Sequence, residues 1–180
     1  MSKKVLIISA SPRRGGNSDT LCDQFMRGAQ EGGHSVEKIF LKDKNIKFCQ
    51  GCLACWNTTK GKCVHHDDMA EILDKILSAD VLVFATPVYF YGMNAQLKML
   101  LDRTVARLYD IRDKQAYLIA AVWVSSESAM DGTIVGYNNY INSLPNVKNA
   151  GHIFAMGVNN VGDVKKNPAM KKAYEAGKNV

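Results

Sequence analysis

The chain has 180 residues, of which 47% are hydrophobic and 22% are charged, and this composition is typical of a folded globular protein rather than a disordered one. No apolar run approaches the roughly 18 to 20 residues that a membrane-spanning helix requires, so we expect no membrane partner. The formal net charge of +6 comes from basic residues spread along the chain. Because no nucleic-acid-binding module or interleaved aromatic residues accompany them, we expect no nucleic-acid partner. The first apolar run is too short for a signal peptide, which favours a cytoplasmic location.

Five short apolar runs predict β-strands that alternate with helices. In chain order they span residues 5–10, 36–41, 81–85, 117–124 and 153–156. The first, third and fourth runs are almost continuously apolar, as strands buried on both faces of a sheet are. This alternation predicts an α/β fold: one domain over residues 1–180, with a five-stranded parallel sheet of order 2-1-3-4-5 and helices on both faces.

The helical patterns between these strands begin at recognisable signals. Asn17 and Ser18 are expected to cap the first helix, which runs to about residue 30, and Asp68 with Glu71 has the pattern of a capping box. Further helices are predicted over about 94–109, across 134–144 and after Pro168. In such a fold, ligands bind beyond the carboxyl ends of the strands, where the strand order reverses, so three loops at that edge are the candidate site.

The first of these loops, residues 9–20, has the composition of a phosphate-binding turn. It places hydroxyls, an amide and glycines at a helix N-terminus, where free N–H groups and a partial positive charge favour a phosphate. It lacks both the triphosphate-binding pattern and the Gly-x-Gly-x-x-Gly fingerprint, which favours a terminal monophosphate. A polar turn with a helix cap is the alternative. The candidate residues are Ser9, Ser11, Arg13, Asn17, Ser18 and Thr20.

Four of the five cysteines fall in one loop insertion at about residues 45–66. They are Cys49, Cys52, Cys55 and Cys63, with the spacing C-x2-C-x2-C-x7-C. Clustered thiols in an intracellular protein indicate metal or redox chemistry rather than a disulfide scaffold. This spacing can hold a four-iron, four-sulfur cluster, but thiols without a metal, and a zinc site near His65 and His66, are open alternatives. Cys22 lies alone in a helical pattern and is expected to be buried.

The second loop, residues 86–94, follows a buried strand and contains three consecutive aromatic residues. Its backbone N–H groups and aromatic side chains are suited to the edge and the face of a flat heteroaromatic ring, with core or interface packing as the alternative. The candidate residues are Pro87, Val88, Tyr89, Phe90, Tyr91 and Gly92, and Ser125 belongs to a third, polar loop at the same edge. Flavin mononucleotide (FMN) combines a terminal phosphate with a large planar ring, so one ligand satisfies the first two loops.

Together these motifs resemble the flavodoxin-like NAD(P)H-dependent FMN reductase family. The matching pieces are residues 9–13, 17–18, 51–52, 55, 63, 67–69, 86–89, 97–98 and 101–103. They cover roughly residues 4–103 in the family's order, and the second half matches only in pattern. The resemblance implies a flavodoxin-like three-layer sandwich, non-covalently bound FMN, and a homodimer or tetramer. It also implies that Ser11, Arg13, Asn17 and Ser18 hold the phosphate, and that residues 87–92 line the isoalloxazine ring.

The expected function is that of an FMN-dependent oxidoreductase. It would pass electrons from NADH or NADPH through FMN to a small-molecule acceptor such as a quinone, a nitro compound, a flavin or oxygen. The cysteine spacing also resembles the compact motif of the iron-sulfur flavoproteins, which implies an alternative: electron exchange between ferredoxin, a 4Fe-4S cluster and FMN. A non-enzymatic zinc or nucleotide-sensing module is the second alternative. No catalytic side chain is expected, and the four histidines are expected to be structural.

Overall fold

A parallel β-sheet runs through the middle of the molecule in the computed structural model, which describes residues 1–180. The strands are β1 (Lys4–Ser9), β2 (Ser35–Phe40), β3 (Val81–Tyr89), β4 (Gly92–Met93), β5 (Gln115–Ala121) and β6 (Lys148–Ala155). The five long strands are all parallel and lie in the order β2-β1-β3-β5-β6, whereas the two-residue β4 pairs antiparallel with the end of β3. The predicted α/β fold is confirmed, and the added β4 is the only departure from the order 2-1-3-4-5.

Helices cover both faces of this sheet and complete three layers. They are α1 (Asn17–Glu31), α2 (Ala54–Asn57), α3 (Met69–Ser78), α4 (Ala95–Arg103), α5 (Asp131–Asn142) and α6 (Ala169–Lys178), with 3-10 turns at 41–43, 104–110, 127–130 and 163–166. Successive side chains of a strand point to opposite faces. Accordingly, Leu6 and Ile8 pack in one core with α3, α4 and α5, while Val5 and Ile7 pack in a second core with α1 and α6.

The start of α3 differs from the predicted capping box. Asp68 is the N-cap residue, but its carboxylate accepts a hydrogen bond from the Asn45 N–H (2.7 Å) and does not cap the helix. Glu71 pairs with Lys75 instead of reaching back to the cap. The capping-box prediction is therefore wrong, because Asp68 is used to hold the cysteine-bearing loop against the start of α3.

Two other elements have boundaries that differ from the predicted ones. The helix predicted over 94–109 divides into α4 and a 3-10 turn, with non-helical backbone at Arg107 (φ −132°, ψ 28°). Strand β6 begins at Lys148 rather than at residue 153, because its first residues are polar and exposed on an edge strand and carry no apolar signal. None of the helices combines the length and apolar character needed to cross a membrane.

Candidate functional site

The loop between β1 and α1 ends in a helix start with unpaired backbone N–H groups. The first hydrogen bond that closes α1 runs from the Thr20 N–H to the Gly16 carbonyl, so the amides of residues 17–19 have no partner within the helix. Gly16 is the N-cap, and the predicted capping by Asn17 or Ser18 is wrong because no side chain caps this helix. The free amides instead form a site suited to an anion.

The turn that precedes this helix start is tight and depends on glycine. The Ser11 Oγ accepts a hydrogen bond from the Arg13 N–H (3.1 Å) and donates one to the Arg13 carbonyl (2.7 Å). The Gly16 N–H donates to the same carbonyl (3.0 Å). A Cβ atom at Gly16 would lie 2.9 Å from both the Arg13 carbonyl oxygen and the Ser11 Oγ, so a larger residue does not fit without moving the turn.

The Asp19 side chain stabilises this loop through hydrogen bonds, a role that our sequence analysis missed. Its buried carboxylate accepts hydrogen bonds from the Ser9 hydroxyl (2.8 Å), the Gly15 N–H (3.0 Å) and the Lys38 ammonium group (3.0 Å). Burial lowers the pKa of Lys38, but hydrogen bonds to Asp23 and Asp19 raise it overall, so the ammonium stays charged. The Ser9 hydroxyl therefore takes part in this network and is not available to bind a ligand. The acidic residue in the first turn of the helix was the sequence signal from which this role could have been predicted.

Strands β3 and β4 form a hairpin whose turn consists of Phe90 and Tyr91. Both residues have left-handed backbone, with φ of 48° at Phe90 and 64° at Tyr91. Bulky residues adopt this conformation rarely and at a cost on the order of 1–3 kcal/mol each. The Phe90 side chain is fully exposed and that of Tyr91 is 65% exposed. Strained and exposed aromatic residues at the end of a buried strand indicate a binding surface rather than a packing element.

Asn94 connects the two loops, and its role beyond the start of a helix was also missed. Its fully buried side chain donates from Nδ2 to the Ala10 carbonyl (2.5 Å) and accepts from the Leu97 N–H (3.1 Å), which caps α4. Its own N–H donates to the Thr86 Oγ1 (3.0 Å). The end of β1 and the segment after the aromatic hairpin are therefore joined by one side chain.

The first two loops meet in one open cavity of about 260 Å³ at the carboxyl edge of the sheet, which we call the loop cavity. Eight predicted residues line it: Ser11, Arg13, Asn17, Ser18, Pro87, Val88, Tyr89 and Phe90. Five predicted residues lie outside its lining: Ser9, Thr20, Tyr91, Gly92 and Ser125. The Thr20 hydroxyl, for example, donates to the Gly15 carbonyl (3.2 Å) instead of facing the cavity.

The loop cavity also contains residues that our sequence analysis did not select. Trp123, which is 71% exposed, follows β5 and lines the cavity with Asn159. The Asn159 carbonyl accepts a hydrogen bond from the Arg13 guanidinium (3.4 Å), and the Asn17 Oδ1 accepts one from the Val164 N–H (3.2 Å). Trp123 was predicted inside the fourth apolar run (117–124), but β5 ends at Ala121, so Trp123 lies beyond the carboxyl end of the strand. The segment after β6 has no comparable motif.

The four clustered cysteines line a second cavity, of about 100 Å³, which we call the cysteine cavity. All five cysteines are free thiols, and Cys22 is buried in the core as predicted. Burial raises the pKa of the Cys55 thiol, and the neighbouring thiols of Cys63, Cys49 and Cys52 raise it further, because like charges repel one another. The four thiols that were predicted together therefore line one cavity.

Arg103 and Asp67 form a buried ion pair beside the cysteine cavity. Their side chains are 1% and 0% exposed, and the guanidinium donates two hydrogen bonds to the carboxylate (2.7 and 3.0 Å) and one to the Lys47 carbonyl (2.6 Å). Burial alone would raise the pKa of Asp67, but hydrogen bonds from Arg103 and from the N–H groups of Lys47 and Met69 lower it to about 2. Burial lowers the pKa of Arg103, yet Asp67 and then Cys63 raise it overall.

Two buried nitrogen atoms at the cysteine cavity have no hydrogen-bond partner. They are the Arg103 Nε and the His65 Nε2. Buried polar atoms without a partner are rare in folded proteins and often indicate a bound group. No three His, Cys, Asp or Glu side chains are arranged to hold a single metal ion. The cysteine cavity therefore offers four thiols, beside two unpaired nitrogen atoms, as candidate ligands for a metal or redox centre.

Known proteins resemble this chain in both sequence and fold. A family model described as NADPH-dependent FMN reductase matches residues 3–145. An iron-sulfur flavoprotein of Methanocaldococcus jannaschii is 39% identical over 139 residues, which cover 76% of this chain and 70% of that protein. An iron-sulfur flavoprotein of Archaeoglobus fulgidus is 29% identical over 179 residues, covering 98% of this chain and 78% of that protein. The crystal structure of an FMN-dependent NADH-azoreductase from Bacillus anthracis, in complex with FMN, shares the fold with a TM-score of 0.73, 18% identity and 98% coverage of each chain.

Proposed function

The chain belongs to the NADPH-dependent FMN reductase family and is an FMN-dependent oxidoreductase, and we propose that its cysteine loop holds a 4Fe-4S cluster as a second redox centre. One observation carries this proposal: two differently built cavities occur in one chain. The loop cavity joins an anion-binding helix start to exposed aromatic side chains. The cysteine cavity joins four free thiols to two unpaired nitrogen atoms.

We propose that the loop cavity binds FMN. The phosphate would be held by the free amides of residues 17–19, by the Ser18 hydroxyl and by the Arg13 guanidinium. The Ser11 hydroxyl, whose proton goes to the Arg13 carbonyl, would shape the turn that presents them. Residues 87–90 and Trp123 would hold the ring and keep water from its face. When bound, FMN supplies the chemistry of accepting a hydride from a nicotinamide and passing electrons onward. The protein contributes binding, orientation and backbone N–H donors, and no side chain is assigned as an acid or a base.

We propose that Cys49, Cys52, Cys55 and Cys63 are the ligands of the cluster. Thiolate ligands at this spacing suit a four-iron, four-sulfur cluster, which supplies one-electron storage when bound. Two relatives that bear the name iron-sulfur flavoprotein support this assignment.

The cluster assignment is tested by iron and acid-labile sulfide analysis of protein purified without oxygen. Cys52→Ser should lose most of its iron and sulfide while retaining FMN, because it removes one thiolate ligand that does not line the loop cavity. Cys22→Ala is the matched control, since it also removes one thiol but lies in the core away from the cysteine cavity. Equal iron content in wild type and Cys52→Ser, or no iron in either, would contradict the assignment.

Family membership favours a small-molecule electron acceptor, and we propose a quinone, a nitro compound, free flavin or oxygen in that role. The donor would be NADH or NADPH, with reduced ferredoxin as the alternative if the cluster is the entry point for electrons. Anaerobic oxidation of NADH and NADPH in the presence of a quinone distinguishes these donors from a low-potential protein donor. A cytoplasmic location fits this chemistry, in which free thiols must remain reduced.

We further propose that the molecule works as a homodimer, or as a tetramer built from two dimers. The loop cavity is slightly smaller than the roughly 300–1,000 Å³ of typical small-molecule pockets, so an FMN molecule would be only partly covered by one chain. Phe90, Tyr91 and Trp123 are exposed around it, and exposed apolar groups of this size are typical of interfaces. A second protomer would cover both the aromatic side chains and the ring.

A further inference from the structure

We propose that Arg103 donates a hydrogen bond from its Nε to a sulfur atom of the cluster held by the cysteine cavity, and thereby raises the reduction potential of that cluster. This inference rests on the proposed cluster and adds a residue outside the cysteine motif. It begins from the one guanidinium nitrogen that the protein leaves without a partner. Arg103 lines the cysteine cavity together with all four thiols.

The other nitrogen atoms of the guanidinium are already engaged. Nη1 donates to the Lys47 carbonyl and to one oxygen of Asp67, and Nη2 donates to the other oxygen of Asp67. Nε is buried and has no partner, and Nη2 keeps one further N–H that Asp67 does not use. A buried N–H without an acceptor is unfavourable, so a residue held in this way is best explained by an acceptor that binds later.

The surrounding contacts hold the Arg103 side chain in a defined orientation. The fully buried Asp67 carboxylate accepts two hydrogen bonds from the guanidinium. It also accepts one from the Lys47 N–H (2.9 Å) and one from the Met69 N–H (3.2 Å). The carboxylate is therefore itself fixed by the backbone on both sides of the cysteine loop. An arginine is needed here because its planar guanidinium can donate two hydrogen bonds to the carboxylate and still present a separate N–H. The ammonium group of a lysine does not offer these donors in the same geometry.

The direction of the expected effect follows from charge. Reduction adds negative charge to the sulfur atoms of a cluster, and a hydrogen-bond donor stabilises that charge more in the reduced state than in the oxidised state. Hydrogen bonds to the sulfurs are one of the main ways in which a protein adjusts the potential of an iron-sulfur cluster. Removing the Nε–H should therefore lower the reduction potential and leave the ligands in place.

The test is a reduction-potential titration of anaerobically purified protein, followed by electron paramagnetic resonance of the cluster. Arg103→Lys keeps the positive charge and a donor for Asp67 but removes the Nε–H. We expect full iron content and a ratio of reduced to oxidised cluster about tenfold lower at a given potential, a shift of ~59 mV for a one-electron couple. Arg107→Lys is the matched control, because Arg107 lies one turn further on, pairs with Asp110 and does not line the cysteine cavity. It should titrate like wild type.

A second measurement keeps the inference testable if Arg103→Lys fails to fold. In wild-type protein labelled with ¹⁵N-arginine, pulsed electron-nuclear resonance of the reduced cluster should detect one coupled nitrogen. The double variant Asp67→Asn with Arg103→Gln, which replaces the buried ion pair by two amides, should lose that coupling and titrate at a lower potential. Wild type with iron but without the coupling, or Arg103→Lys with an unchanged potential, overturns the role of Arg103 alone. Wild type without iron overturns the cluster as well.

Discussion

The Ser18 hydroxyl provides a sharp test of the proposed phosphate site. It lies at the start of α1, lines the loop cavity and caps nothing, so Ser18→Ala should leave the fold intact. A lost hydrogen bond to a charged phosphate costs about 1.5–3 kcal/mol, which corresponds to roughly 10- to 100-fold weaker FMN binding. Flavin fluorescence titration of the apoprotein measures this change.

Thr20→Ala is the control for that measurement. It removes a hydroxyl two residues further along the same helix, but that hydroxyl donates to the Gly15 carbonyl and does not line the loop cavity. We expect its FMN affinity to stay within about twofold of wild type. If both variants bind FMN equally well, or if Thr20→Ala is the weaker one, the phosphate is not at this helix start.

The Asp67 carboxylate makes stability depend on pH in a defined direction. Its pKa is lowered to about 2 in the folded protein, whereas an unfolded Asp titrates near about 3.9, so its contribution is present above about pH 4 and is lost as the pH falls toward 2. Asp67→Asn should flatten this part of the pH dependence. It should also cost about 3–5 kcal/mol at pH 7, because it leaves the Arg103 charge buried without a partner.

Urea unfolding between pH 2 and pH 7 checks this expectation. Asp43→Asn is a suitable comparison, since Asp43 pairs with Arg14 on the surface and such pairs contribute about 1 kcal/mol or less. An Asp67→Asn protein that loses stability in acid as steeply as wild type would show that this carboxylate is not the group that titrates.

Residues whose partners lie nearby in the sequence could be predicted, whereas residues whose partners lie far along the chain could not. The four cysteines were predicted together because their spacing is within one short segment. The Arg103–Asp67 pair was not, because the two residues are 36 positions apart and belong to two separate pieces of the family resemblance, neither of which shows that they pair. Asn94 was recognised only as a helix start, since its bond to Ala10 spans 84 positions and leaves no trace in either segment.

Helices α1 and α6 approach each other so closely that glycine is required at both contact points. A Cβ atom at Gly177 would lie 2.1 Å from the Phe25 carbonyl oxygen, and one at Gly28 would lie 2.0 Å from the Tyr174 carbonyl oxygen. We expect Gly177→Ala to lower the free energy of unfolding by about 2 kcal/mol or more, although alanine favours the helix itself by about 1 kcal/mol. The midpoint of urea unfolding measures the loss.

Gly136→Ala in α5 separates this packing effect from helix propensity. A Cβ atom at Gly136 would meet only the flexible end of the Met93 side chain, at 3.1 Å, so this variant should be as stable as wild type or slightly more stable. The account of the α1–α6 contact is wrong if Gly177→Ala behaves in the same way. Neither contact was predictable, because the helical pattern reports which face is apolar and not how near the next helix lies.

For the molecule as a whole, the sheet was predictable and the shape of the site was only partly so. Nearly continuous apolar strands that alternate with helices leave few arrangements, so the order of the five long strands followed from the pattern. The short hairpin strand β4 did not, because it exists only through the left-handed backbone of Phe90 and Tyr91. The contribution of Asn159 also escaped prediction, since it depends on how the chain returns to the loop cavity after β6.

The most direct test of the central claim is an ultraviolet-visible spectrum of protein purified without oxygen, with FMN, iron and sulfide measured on the same sample. We predict the two bands of bound flavin over a broad absorption, with about one FMN and about four irons per chain. Flavin bands without iron would remove the cluster and leave a simple FMN reductase. A colourless protein that also fails to take up added FMN would contradict the account at its centre, because neither the loop cavity nor the cysteine cavity would then hold the group for which its residues are arranged.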